Sequence, residues 1–145
     1  MRDALLAVAG TLDLTAAGPP ERLDKKNHRR TVYAYIGRTQ PDAMLTLFDF
    51  PNPNNTSEQR TVTAGPLQRL FFMNSEFVRV QAQALAGRLK GTDTEKIDRA
   101  YRLLFARRPI DSEVAAGLVF LKNGGDAWAQ YAQVLLGSSE FSAVN

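Results

Sequence analysis

Cysteine is absent from this 145-residue chain, and histidine and tryptophan occur once each. Without cysteine there are no disulfides, no thiolate nucleophile and no Cys-based metal site. A lone histidine, His28, excludes a His-rich metal site and a histidine paired with a second one. Long apolar runs are lacking too, so no segment approaches the length of a membrane-crossing helix. Met1-Arg2-Asp3 opens straight into a helical pattern, without a signal-peptide layout. Charge of one sign is scarcely in excess: Lys plus Arg is 18 against 15 for Asp plus Glu, a net +3. That balance demands neither nucleic acid nor a membrane surface as partner. No G-x-S-x-G, P-loop or dinucleotide glycine pattern occurs. With no nucleophile–base pair in view, the residues favour a non-enzymatic module over an enzyme.

What is present is a set of amphipathic helices. The length suits a single domain, residues 1–145, with its own core. The fold class expected is mainly α: an irregular bundle of five or six helices, a long ordered central loop and at most a small two-stranded β pair. Residues 2–9 form a first helix stopped by Gly10, with Leu5, Leu6 and Val8 on its apolar side. A helix already in progress at residue 2 is expected to begin earlier, in a longer polypeptide. An exposed apolar patch around Leu5, Leu6 and Val8 would support a module that packs against upstream domains. A loop follows, with the basic tract Lys25, Lys26, His28, Arg29 and Arg30, read as solvated because no aromatic platform lies inside it. Thr31 to Ile36 reads as a strand that pairs with Arg60 to Thr63. Pro41 opens a short helix to Phe48, and Pro66 opens another to Met73.

The clearest periodicities come later. Phe77, Val78, Ala82, Leu85 and Leu89 mark one helix. Thr92 to Glu95 is a capping box, and Ile97, Ala100, Tyr101, Leu104 and Phe105 follow at helical spacing. Asp111 or Ser112 caps a helix with Val114, Leu118 and Leu121 inward. Asp126 caps the last long helix, carrying Trp128, Tyr131, Ala132, Leu135 and Leu136. Ser75-Glu76-Phe77 is echoed by Ser139-Glu140-Phe141, each after an apolar run. Both phenylalanines read as plugs that fix the angle between helices.

The stretch from Phe48 to Phe77 is the most particular. Prolines and a glycine break it, yet it carries too many aromatics for a free linker. Within or beside it lie the candidate site residues Arg38, Asp49, Arg60, Thr63, Gln68 and Asn74. Two readings stand. These side chains pin the loop, with Arg38 or Arg60 paired to Asp49. Alternatively they line a pocket for a polar ligand, such as a carbohydrate. Hydrolysis by Asp49 with Glu58 ranks below both. Asp49, Asn52, Asn54, Asn55 and Glu58 supply hard oxygens, but their spacing is not that of an EF-hand. No metal is therefore expected.

The motifs R-x-x-Y (Arg30 to Tyr33), M-L-x-x-F-D-x-P (Met44 to Pro51) and P-L-Q-x-L (Pro66 to Leu70), with Arg38, Arg60, Thr63, Asn74 and F-V at Phe77, occur in this order. R-D-A-L-L-A-V-A-G at the start and Y-R-L-L-F-A-R-R-P from Tyr101 accompany them. Together they resemble the planctomycete secreted domain, a bacterial domain of unknown function. The resemblance implies the C-terminal piece of a large secreted or periplasmic protein. Its partners would be upstream domains of the same polypeptide, among them a c-type cytochrome domain. No cofactor is expected in this fragment, since C-x-x-C-H is missing. The stretch from Tyr101 to Phe141 resembles, more weakly, a helical unit of secreted bacterial surface proteins.

Overall fold

A computed structural model describes residues 1–24, 27–51, 54 and 65–142. Among the described residues the chain is all helical in its regular structure. The elements are α1 (Arg2–Ala9), α2 (Ala43–Leu47), α3 (Pro66–Asn74), α4 (Glu76–Arg88), α5 (Asp93–Phe105), α6 (Asp111–Leu121), α7 (Ala127–Leu136) and α8 (Ser139–Ser142). The mainly α class is as expected. The number exceeds five or six in part because α2 and α8 are barely more than a turn each.

The helices start and stop where local chemistry directs. Asp42 accepts from the backbone N–H groups of Met44 and Leu45 and so caps α2. Thr92 and Glu95 close the expected capping box on α5. α6 begins with Glu113 accepting from the Ile110 N–H at 2.8 Å, rather than with a cap from Asp111 or Ser112. α1 ends at Gly10, whose φ of 76° favours glycine. A side chain there would also strike the Arg88 guanidinium group.

α4 and α7 form the central pair, and α7 serves two adjoining cores. One core joins Leu5, Leu6, Phe72, Phe77, Leu85, Leu136 and Phe141. The other joins Leu89, Ile97, Ala100, Tyr101, Tyr131 and Leu135. Phe77 and Phe141 both enter the first core, so the echoed Ser-Glu-Phe motifs plug one interior from two sides. Trp128 donates to Asp93 at 3.1 Å and ties α7 to the start of α5.

Three expectations are corrected. Leu5 and Leu6 are 0% exposed, not an open apolar patch, because they cover the apolar side of α4. Thr31–Tyr33 is a 3-10 turn rather than the start of a strand. The Asp3 carboxylate takes both the Thr31 N–H and its hydroxyl, which draws the segment into a turn. Ala34 then makes only an isolated bridge, to Glu21. The expected partner, Arg60 to Thr63, lies outside the described residues. In the basic tract Lys25 and Lys26 lie outside the described residues and Arg30 is exposed, but Arg29 is not simply solvated. Asn27 is buried, and Arg29 donates to the carbonyls of Ala17 and Pro19, pairs with Glu21 and stacks on Tyr33. On α6, Val114, Leu118 and Leu121 do turn inward: half-buried, they pack against the second core beside the buried Gly117.

Arginines hold the irregular segments, where a cysteine-free chain has no covalent tie. Arg2 is buried, lies over the Phe77 ring, and donates to the Arg29 carbonyl at 2.7 Å and to the Asn27 carbonyl. Arg88, at the end of α4, donates to the Ala7 and Val8 carbonyls of α1. Each fork adds donors to carbonyls at a helix end or in a loop; of these the Ala7 carbonyl also accepts from the Gly10 N–H at 3.0 Å.

Candidate functional site

Part of the sequence-derived site lies at the junction of α2 and α3. The chain leaves α2 through Asp49, whose φ is 57°, a left-handed conformation that aspartate tolerates better than most residues. The Phe50 N–H reaches back to the Leu45 carbonyl at 3.0 Å and closes the helix end. Gln68, in the first turn of α3, donates to the Leu47 carbonyl at 3.0 Å and to the Asp49 carboxylate at 3.4 Å. Phe48 packs edge-on against Phe71 and Phe72, with centroids 5.4 and 6.1 Å away. Gln68 and Asp49 are thus brought together in a joint that locks α2 onto α3.

The remaining candidates are placed differently. The Arg38 side chain is exposed, and its carbonyl accepts from Asn54 at 2.9 Å. Asn74 is exposed at the end of α3. Arg60 and Thr63 lie outside the described residues, as do Asn52, Asn55 and Glu58 of the oxygen-rich group. The apolar side chains of this stretch divide. Phe48, Phe71, Phe72 and Phe77 pack inward, whereas Phe50, Leu67 and Leu70 are exposed.

A second group was not anticipated from the sequence. Arg107, just past α5, reaches Glu113 of α6 with two bonds of 2.8 Å and Glu140 of α8 with bonds of 2.7 and 2.8 Å. Its guanidinium group also lies 5.3 Å from the Tyr101 ring centre. The Arg107 hydrogen bonds, outweighing desolvation, pull the Glu113 carboxyl down to about 2. They lower Glu140 as well, and the two carboxylates raise Arg107. Burial raises the Tyr101 and Tyr131 phenols. Gly117 permits this packing: a Cβ there would lie 2.7 Å from the Tyr131 hydroxyl. The small side of α6 leaves a groove of about 330 Å³ against α7, walled by Phe120, Tyr131, Val134 and Leu135, with Glu113 at its edge.

Exposed apolar side chains recur on α3, α7 and α6. Leu67, Leu70 and Met73 recur three residues apart on α3 and are 69%, 51% and 70% exposed. Gln133 of α7 donates to the Phe72 and Met73 carbonyls, which sets Val134 beside the end of α3. Val134 is 57% exposed and shares the groove with Ala116 and Phe120 of α6, and Val119 is 65% exposed. The sequence signal for this surface was the unbroken apolar run from Val114 to Leu121, since a helix apolar on every side asks for cover on every side.

The fold and these surfaces define a small helical domain in which Arg2, Arg29, Arg88 and Arg107 are spent on its own backbone and carboxylates. The family model described as "Protein of unknown function (DUF1553)", PSD1, matches residues 1–121. The chain belongs to that family, with α7 and α8 beyond the matched residues. No curated protein and no solved structure matches it. Among the described residues, no helix is long and apolar enough to cross a membrane.

Proposed function

We propose that this chain is a non-enzymatic interaction module of a larger bacterial polypeptide, and that the apolar belt over α3, α7 and α6 is its contact surface. The observation that carries the reading is the belt itself. Five large apolar side chains, Leu67, Leu70, Met73, Val134 and Val119, stand in solvent across neighbouring helices, a feature of contact surfaces. The internal use of charge supports it: Arg2, Arg29, Arg88 and Arg107 all hold the domain's own backbone or carboxylates. The occupant of the belt is another domain of the same polypeptide. The resemblance to the planctomycete secreted domain supports a secreted or periplasmic setting and upstream neighbours that include a c-type cytochrome domain.

The test is Leu70→Glu combined with Val134→Glu. Both side chains are exposed, so the isolated chain keeps its melting temperature within a few degrees. In the full polypeptide the same pair uncouples this domain's melting from its neighbour's. Unchanged melting of the full polypeptide refutes the reading.

A further inference from the structure

Resting on that reading, we infer that the groove between α6 and α7 receives an arginine side chain of the docking partner. The walls are apolar and aromatic: Phe120 and Tyr131, whose centroids are 5.7 Å apart, with Val134 and Leu135 beside them. Such walls suit the methylene stem of a long side chain. Among the described residues, Glu113 is the one charged residue lining the groove. Its Oε1 atom takes a single bond from Arg107, which leaves that oxygen room for a second donor. Arg107 is one cation between two carboxylates, Glu113 and Glu140, so the trio carries net negative charge next to the groove. The same chemistry already operates within the molecule, where the Arg107 guanidinium group lies over Tyr101 while it pairs with Glu113. A guanidinium group stacks on aromatic faces and sheds its weakly held water more readily than an ammonium does, which favours arginine over lysine. The volume, about 330 Å³, holds one such side chain rather than a helix.

The probe is N-acetylarginine amide, titrated into the 145-residue chain and followed by amide and aromatic NMR shifts. The expected result is saturable, millimolar-range movement confined to Gly117, Phe120, Tyr131 and Val134. N-acetylcitrulline amide, the neutral isostere, is expected to bind at least tenfold more weakly. Ala116→Trp fills the groove without touching the Arg107 pairs and is expected to abolish the shifts. Val134→Trp serves the same purpose from α7 should the first variant fold poorly. Absence of saturation, equal binding of the citrulline analogue, or binding that survives a folded tryptophan variant overturns the inference. The groove and the belt share Val134, but the titration uses the isolated chain and needs no docked neighbour. Leu70→Glu leaves the arginine shifts intact, so a failed groove and a failed contact surface give different results.

Discussion

Replacing Gly117 by alanine tests the packing that shapes the groove. A glycine in mid-helix ordinarily costs about 1 kcal/mol relative to alanine, so Gly→Ala in a helix is stabilising by default. Gly87, near the end of α4, has nothing within 4 Å of a built Cβ and follows that default. Gly87→Ala is expected to gain about 0.5 kcal/mol. At Gly117 the added carbon falls 2.7 Å from the Tyr131 hydroxyl and 2.9 Å from Ile97 Cδ1. Ordinary carbon contacts begin near ~3.5 Å, and overpacking of this kind costs about 1–3 kcal/mol. After the helix gain is subtracted, Gly117→Ala is expected to lose about 1 kcal/mol, a fall of ~3 °C in melting temperature. The assay is urea unfolding followed by far-UV circular dichroism. Tyr131→Phe removes the oxygen nearest the new carbon, so the loss shrinks by about 0.5–1 kcal/mol in that background. Should Gly117→Ala stabilise as Gly87→Ala does, or cost the same in the Tyr131→Phe background, the close approach of α6 to α7 is wrong.

Two further outcomes follow from the charged ties. Glu113 sits at about 2 in the folded chain against an ordinary 4.5, so its contribution is complete above 4.5 and fades as pH falls toward about 2. Glu140, also lowered, adds to the same acid loss. The urea midpoint of the native chain is therefore expected to drop across that window more steeply than that of Arg107→Met; parallel curves would show that the Arg107 pairs with Glu113 and Glu140 do not stabilise the fold. Arg2→Met strands the buried Asn27 carbonyl and the part-buried Arg29 carbonyl and is expected to cost about 3 kcal/mol, with faster amide exchange at 27–34. Arg2→Lys restores little, because an ammonium lacks the fork; a loss below about 0.5 kcal/mol in Arg2→Met would refute this.

The sequence was readable where a single helix carried its own instructions. The stripe from Phe77 to Leu89 is buried as its spacing implied. The Thr92–Glu95 box closes within one turn, the Glu95 carboxylate meeting the Thr92 N–H at 2.8 Å. Contacts between distant segments were not readable. Asp3 turns Thr31 out of a β conformation from 28 residues away, overriding a β-branched and aromatic segment. Leu5 and Leu6 carry no mark that says which helix will cover them. Gln68 and Asp49 were recognisable as loop-pinning types, and they do meet. Arg107 gave no such hint, since Glu140 lies 33 residues further on. Val114, Leu118 and Leu121 fit an inward stripe and do pack against the second core, but the apolar run around them did not show that Val119 would stand exposed.

Amide hydrogen exchange on the belt decides most directly whether it is a contact surface. Peptides covering α3 and α6 are compared in the isolated chain and in the full polypeptide. Docking predicts that α3 and α6 exchange more slowly in the full polypeptide while α5, away from the belt, is unchanged. Equal exchange of α3 and α6 in both would leave Leu67, Leu70, Met73, Val119 and Val134 uncovered and contradict the account.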